Sequence, residues 1–81
     1  MKIDVFDTHV YTKSGQYIHF DVLVNKDNIE NVDQYAKQYL AGLGVKIDNI
    51  KQSNCNFCHS EIANAEVQGN IASQGYSIIV L

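Results

Sequence analysis

Two stretches near the start of the chain alternate between apolar and polar residues and are rich in β-branched and aromatic types, a pattern typical of half-buried strands. They cover residues 2–12 and 16–24 and flank Lys13-Ser14-Gly15. A three-residue loop suits this spacing, since its first two residues can form a type I turn and Gly15 can supply the left-handed position. The pattern therefore predicts a β-hairpin.

The loop fixes which residues of the two strands lie opposite each other. His9 is expected opposite His19, and Asp7 opposite Asp21. One face then carries the apolar residues Phe6, Val10, Ile18, Phe20, Val22 and Val24. The other face carries Asp7, His9, Tyr11, Tyr17, His19 and Asp21. A two-residue loop would mix the two sets, so we expect the longer one.

A helix is predicted after the hairpin. Apolar residues recur every three or four positions from Ile29 to Leu43, which gives one buried stripe. Asp27 and Glu30 have the spacing of a capping box at the start of this helix. Gly44 is suited to a left-handed cap at its end.

The rest of the chain predicts two strands and a shorter helix. Residues 45–50 are expected to form a third strand that is short or bulged, because Ile50 breaks the alternation. Asn64 can cap a helix that ends before Gly75. The apolar run 76–81 lacks alternation, which predicts an inner strand covered on both faces.

The predicted order is therefore ββαβαβ, in a single domain that spans residues 1–81. With four strands and two helices, the economical arrangement is an α+β two-layer sandwich. We expect a four-stranded sheet with both helices on one face. Its stability should be modest, because so short a chain buries only about 60–65% of its unfolded surface.

Composition excludes several classes of function. Hydrophobic residues make up 46% of the chain and charged residues 19%, the balance of a globular domain. The net charge is −3 and all six basic residues are lysines, so a nucleic-acid partner is not expected. No apolar run approaches the roughly 18 residues of a membrane span. Without a signal-peptide pattern either, we expect a cytoplasmic protein with no membrane partner.

Both cysteines lie in the segment Cys55-Asn56-Phe57-Cys58-His59. In a reducing compartment such a pair is expected to be thiols or metal ligands and not a structural disulfide. Two thiolates at this spacing suit zinc, and His59, His19 or His9 could complete the site. Our first hypothesis is therefore that the domain binds zinc or a small ligand. The candidate metal ligands are Cys55, Cys58, His59 and His19.

The same segment allows other chemistry. It matches the attachment pattern of c-type haem, but haem is not expected because the chain shows no export signal and has too much strand for a small cytochrome. A thiol enzyme or redox protein would attack with Cys58 and resolve with Cys55, although the chain lacks the proline of thioredoxin-like sites. Alternatively, the cysteines only pack a turn in an interaction module. The sequence assigns no catalytic residue.

The polar face of the hairpin is a second candidate site. Asp7, His9, His19 and Asp21 are expected within about 5–8 Å of their cross-strand neighbours. This is close enough for a metal ion, or for imidazoles oriented by carboxylates. The competing interpretation is a solvated sheet face, on which His–Asp hydrogen bonds relieve the repulsion between the two aspartates.

Three motifs carry a resemblance to a known family: Asp7-Thr8, His19-Phe20-Asp21-Val22 and Cys55-Asn56-Phe57-Cys58-His59-Ser60. In this order and at these separations they resemble a small uncharacterised bacterial family, domain-of-unknown-function family twenty twenty-four. The resemblance covers nearly the whole chain and implies a compact α+β fold with no established activity. The family pattern matches Asp7, His19, Asp21, Cys55, Cys58 and His59. It does not require histidine at position 9, which weighs against His9 as a ligand.

The outer face of the sheet also predicts assembly. Tyr11, Tyr17 and Leu23, with alternate residues of 78–81, would leave an apolar strip in water. Such patches usually mark interfaces, and a two-fold dimer is the commonest way to close one. We therefore expect a homodimer, with the tyrosines and part of the last strand at the contact.

Overall fold

The structure is a computed structural model that describes residues 3–55 and 64–81. Its elements are β1 (Ile3–Thr12), β2 (Tyr17–Asn25), a 3₁₀ helix (Lys26–Asn31), α1 (Val32–Leu43), β3 (Ile47–Cys55), α2 (Ala65–Gln74) and β4 (Tyr76–Val80). The four strands form one antiparallel sheet in the order β3-β1-β2-β4. The predicted α+β class and the ββαβαβ order are confirmed.

The hairpin has the predicted loop and register. Gly15 takes a left-handed conformation with φ of 90°, and its N–H donates to the carbonyl of Thr12 at 3.0 Å. The next bond of the ladder runs from the N–H of Thr12 to the carbonyl of Gln16 at 2.9 Å. His9 consequently lies opposite His19, and Tyr11 opposite Tyr17. Because β1 and β2 are the two central strands, this register sets the geometry of the whole sheet.

The two helices pack against opposite faces of the sheet, so the prediction that both cover one face is wrong. The helix α1 packs with Val10, Phe20 and Val22, the apolar face of the hairpin. The helix α2, through Val67 and Ile71, packs instead with Ile3, Val5 and Leu23 on the other face. These three residues turn one end of the otherwise polar face apolar, and α2 covers that end. The sheet is therefore the middle of three layers.

The helix boundaries follow some of the predicted signals and not others. The prediction of a capping box is wrong. Asp27 and Glu30 lie in the 3₁₀ helix, and α1 begins later with no side-chain cap. The ends are as predicted, since Gly44 and Gly75 both adopt the left-handed conformation. Asn64 caps α2 by accepting a hydrogen bond from the N–H of Val67 at 2.9 Å. Neither helix in the described ranges has the length and apolar character needed to cross a membrane.

The outer strands differ in part from expectation. The pairing of β3 with β1 shifts between Tyr11 and Thr12, which confirms the predicted bulge, but β3 is nine residues long rather than short. The strand β4 is an edge strand, so its prediction as an inner strand is wrong. It is apolar without alternation because helices pack on both of its faces: Ile78 contacts the α1 core and Ile79 the α2 core.

Candidate metal centre

The candidate site lies on the face of the hairpin that α2 covers only at one end. Asp7 and His9 are two residues apart on β1, so their side chains point to the same side of the sheet. His19 enters from β2 as the direct partner of His9. All three side chains are about one-third exposed, at 33% for Asp7, 34% for His9 and 30% for His19. The cluster is thus anchored in the central strands and open to solvent.

The two imidazoles converge on one carboxylate. The Nε2 atom of His9 lies 2.8 Å from Oδ2 of Asp7. The Nε2 atom of His19 makes a short hydrogen bond to the other oxygen, Oδ1. The rings stack on each other with centroids 4.1 Å apart and planes 15° from parallel. Each oxygen of Asp7 therefore serves one histidine.

This arrangement fixes the proton positions of the neutral rings. An ionised carboxylate can only accept hydrogen bonds, so the Nε2 atoms of both histidines must carry a proton. In neutral His9 the other nitrogen, Nδ1, is then an acceptor. The hydroxyl of Tyr17 lies 2.5 Å from this atom and can donate to it. A chain of hydrogen bonds thus runs from Tyr17 through His9 to Asp7, where His19 joins from the other side.

The charges of the site act on its carboxylates in opposite directions. Burial raises the pKa of Asp7, but hydrogen bonds from His19 and His9 and their charges outweigh it, so the pKa lies below the ordinary 3.8. Burial and the nearby charge of Asp7 raise the pKa of Asp21 above its ordinary value. Partial desolvation, Tyr11 and Asp7 likewise raise the pKa of Tyr17. The two histidines therefore favour the negative charge of Asp7, whereas the site disfavours a negative charge on Asp21 or Tyr17.

The cluster has the composition of a metal centre. One ligand atom from each of Asp7, His9 and His19 lies within 4.8 Å of the other two. Two imidazole nitrogens and one carboxylate oxygen suit zinc and other first-row transition metals better than calcium or magnesium, which prefer oxygen ligands. Three protein ligands would leave one position of a tetrahedral ion open.

The structure separates two of the predicted ligands, Cys55 and His19. His19 lies in the cluster, whereas Cys55 ends β3 opposite Val5, four residues along β1 from His9. With a rise of roughly 3.4 Å per residue and about 4.8 Å between strands, the Cα atoms of Cys55 and His19 are about 16 Å apart. That is beyond the reach of a single ion. Cys55 is disulfide-bonded, so the expectation of a free thiol or metal ligand at this position is wrong in this structure. Cys58 and His59 lie outside the described residues.

Asp7 and His9 belong to this centre, although the predicted ligand set omitted them. Two features of the sequence indicate that Asp7 and His9 lie beside His19. The alternation of β1 puts both side chains on one face, and the hairpin loop sets the register that pairs His9 with His19. The sequence favours the cysteine motif because one Cys-x-x-Cys segment supplies two thiolates, which suit zinc. The family pattern does not require histidine at position 9, which weighed against His9 as a ligand. In this chain, however, Nε2 of His9 lies 2.8 Å from Oδ2 of Asp7, so His9 is part of the cluster.

Together, the antiparallel sheet with a helix on each face and the cross-strand His-Asp-His cluster define a small α+β domain with a candidate metal centre. The chain matches, over residues 1–81, the family described as Domain of unknown function (DUF2024), and it belongs to this family. The resemblance drawn from the sequence motifs is thereby confirmed. No curated protein and no solved structure matches the chain.

Proposed function

We propose that this domain binds a divalent transition metal ion, with zinc as the reference metal, through Asp7, His9 and His19. The observation that carries the proposal is the convergence of both Nε2 atoms on the two oxygens of one carboxylate. Hydrogen-bonded groups of this kind are also common without an ion. What favours an ion here is that two separate strands supply three ligand atoms of the right types within 4.8 Å.

The geometry needs little adjustment to accept zinc. Bonds of about 2.0–2.2 Å to a tetrahedral ion place its ligand atoms roughly 3.4 Å from one another. The Nε2 atom of His9 is now 2.8 Å from Oδ2 of Asp7, so the two atoms would have to separate by only about 0.6 Å. We expect side-chain rotations to suffice for a change of this size. The ion would replace the protons that now lie between the imidazoles and the carboxylate.

The charge distribution supports a cation at this position. Asp7 and Asp21 face each other across β1 and β2, and like charges directly opposite each other destabilise a sheet. Lys51, which pairs with His9 from β3, has an exposed side chain. A divalent ion held by Asp7 would remove the repulsion from Asp21 without a proton on either carboxylate. In the structure without an ion, Asp7 is instead held by its hydrogen bonds to the two imidazoles.

Metal titration tests the proposal. Protein stripped with a chelator should bind about one zinc ion per chain, measured by calorimetry or by elemental analysis after dialysis. Asp7→Asn and His19→Gln should each abolish or strongly weaken binding, because each removes a ligand. Asp33→Asn is the matched control, since Asp33 is an exposed aspartate on α1 that pairs with Lys37. Equal affinity in Asp7→Asn and Asp33→Asn would refute the assignment.

The same titration separates this centre from the predicted cysteine site. The double variant Cys55→Ser/Cys58→Ser removes both sulfur atoms and keeps the three ligands of the hairpin cluster. If the ion lies on the hairpin, the double variant should bind zinc like the wild type, with or without a reducing agent. If the thiolates are the ligands, binding should require reduction and should be lost in the double variant. His19→Gln is informative only beside these variants, because His19 belongs to both proposed ligand sets.

A further inference from the structure

Two tyrosines flank the candidate metal centre, and they differ in one contact. Tyr11 and Tyr17 are cross-strand partners with rings 5.2 Å apart, and they are 46% and 52% exposed. Within the described residues, the hydroxyl of Tyr17 contacts a candidate ligand, at 2.5 Å from Nδ1 of His9, and that of Tyr11 does not. The pair therefore offers a built-in comparison between a tyrosine that touches the site and one that only borders it.

The contact of Tyr17 bears on how His9 can bind an ion. In the resting arrangement Nε2–H of His9 donates to Asp7, and Nδ1 accepts from the hydroxyl of Tyr17. An ion among the three ligands needs the lone pair of Nε2. A neutral ring must then carry its proton on Nδ1, from which it can donate to the oxygen of Tyr17. A hydroxyl can fill both roles because it is both donor and acceptor.

We propose that Tyr17 is a positioning residue that holds the His9 ring with Nε2 toward the ion, through a hydrogen bond that reverses direction when the ion binds. This inference rests on the proposed metal-binding function. The ring keeps one proton throughout, which moves from Nε2 to Nδ1, so binding at His9 requires no net change in its charge. Metal-bound histidines usually donate their second N–H to such a partner, which fixes the tautomer and raises the basicity of the ligand.

The affinity of matched variants tests the role of the hydroxyl. Tyr17→Phe and Tyr11→Phe each remove one hydroxyl from a half-exposed ring and keep the ring itself. Zinc should bind Tyr17→Phe roughly 10- to 100-fold more weakly than the wild type, the usual effect of losing such a partner. Tyr11→Phe should retain the wild-type affinity. Equal affinities of the two variants would overturn the inference even if the wild type binds zinc well.

The tautomer of His9 provides a readout that a merely structural role would not move. Nitrogen NMR at a pH of about 8.5, two units above the ordinary histidine pKa of roughly 6.5, reports which ring nitrogen carries the proton. We expect Nε2–H in the zinc-free wild type and Nδ1–H in the zinc-bound form. In the zinc-free state both variants should keep Nε2–H, because Asp7 still accepts from it. In the zinc-bound state Tyr17→Phe should shift the Nδ1–H signal of His9, because the acceptor of that proton is removed, and Tyr11→Phe should leave the signal unchanged. Zinc bound at Nδ1 of His9 would overturn the inference.

Failure of this inference can be distinguished from failure of the proposed function. If the wild type binds no zinc, the proposed function fails and the reversal fails with it. The zinc-free spectra still decide whether the resting tautomer of His9 is Nε2–H. A mixture of tautomers in the zinc-free wild type overturns the reversal. If the wild type binds zinc but Tyr17→Phe binds it equally well, the proposed function stands and the positioning role fails.

Discussion

The cover that α2 provides for one end of the hairpin's polar face can be tested at Leu23. This side chain has no exposed surface and packs in the cluster with Val67 and Ile71 of α2. Leu23→Ala would remove most of a fully buried side chain and leave a cavity between sheet and helix. Such substitutions cost about 2–5 kcal/mol of unfolding free energy. If Leu23 instead lay on an uncovered face, as the sequence pattern predicted, the cost would be within about 0.5 kcal/mol.

Chemical denaturation followed by circular dichroism measures this difference directly. A loss of about 3 kcal/mol corresponds to a fall in melting temperature of roughly 12–24 °C for a domain of this size. The matched control is Leu43→Ala, which makes the same change at a leucine of α1 that is 51% exposed. We expect a loss of less than about 1 kcal/mol for this control.

Because a domain of this size has a small free energy of unfolding, a second, less destabilising variant is needed. A chain of this length is stable by roughly 4–12 kcal/mol, so Leu23→Ala could unfold a large fraction of the protein. Leu23→Met keeps the volume and should cost less than about 1.5 kcal/mol, which remains measurable. Equal losses in Leu23→Ala and Leu43→Ala would refute the placement of α2.

Four other expectations follow. Gly75→Ala should lower the melting temperature, because position 75 has a φ of 94° and an added Cβ would lie 2.6 Å from the hydroxyl of Tyr35; an unchanged melting temperature would contradict this local geometry. Asn64→Ala should cost about 0.5–2 kcal/mol in denaturation, since it removes the cap of α2; Asn64→Asp, which can still accept the bond, should be close to neutral. Asp7, whose pKa is lowered on folding, adds stability that is present above its unfolded pKa of about 3.9 and lost as the pH falls below it. The stability gap between the wild type and Asp7→Asn should therefore narrow on acidification, and a constant gap would contradict the His–Asp contacts. We also propose a homodimer, for which light scattering should give twice 9.1 kDa; a species of 9.1 kDa at high concentration would exclude it.

Local sequence signals predicted the hairpin well because its register depends on one loop. Once Gly15 ends a three-residue turn, every cross-strand pair from Tyr11 with Tyr17 to Phe6 with Val22 follows by counting. The glycine ends of the helices and the Asn64 cap were predictable for the same reason. Each rests on a hydrogen bond or a backbone conformation within a few residues of the signal.

The signals that failed were those that depend on packing between distant elements. Leu23 follows the same alternation as Asp21 and His19, so by itself it gave no sign that α2 would cover it. Because Leu23 is buried, the exposed apolar strip on which the proposed dimer rests is limited to Tyr11, Tyr17 and the end of the chain at Val80 and Leu81. The capping box failed in a related way: Asp27 and Glu30 have the right spacing, but the chain leaving β2 makes a 3₁₀ turn before α1 begins.

The candidate site, too, could be predicted only as far as it depends on local sequence signals. Sequence alone grouped the histidines and aspartates of the hairpin, because the grouping follows from the register. The sequence could not show that these residues are a better candidate metal site than the cysteine segment, because that comparison depends on where the side chains point. The structure supplies these by showing both Nε2 atoms on Asp7 and by placing Cys55 at a different level of the sheet.

The outer face of the hairpin thus consists of two zones with different physical roles. The zone of Val5 and Leu23 is apolar, fully buried and covered by α2, so it contributes to the stability of the fold. The zone of Asp7, His9 and His19 is open to solvent, and beneath it the opposite side of the same strands is supported by the α1 core. Substitutions in the second zone remove little buried apolar area, and they should leave the protein folded. Loss of metal binding in those variants can therefore be attributed to the ligands themselves and not to unfolding.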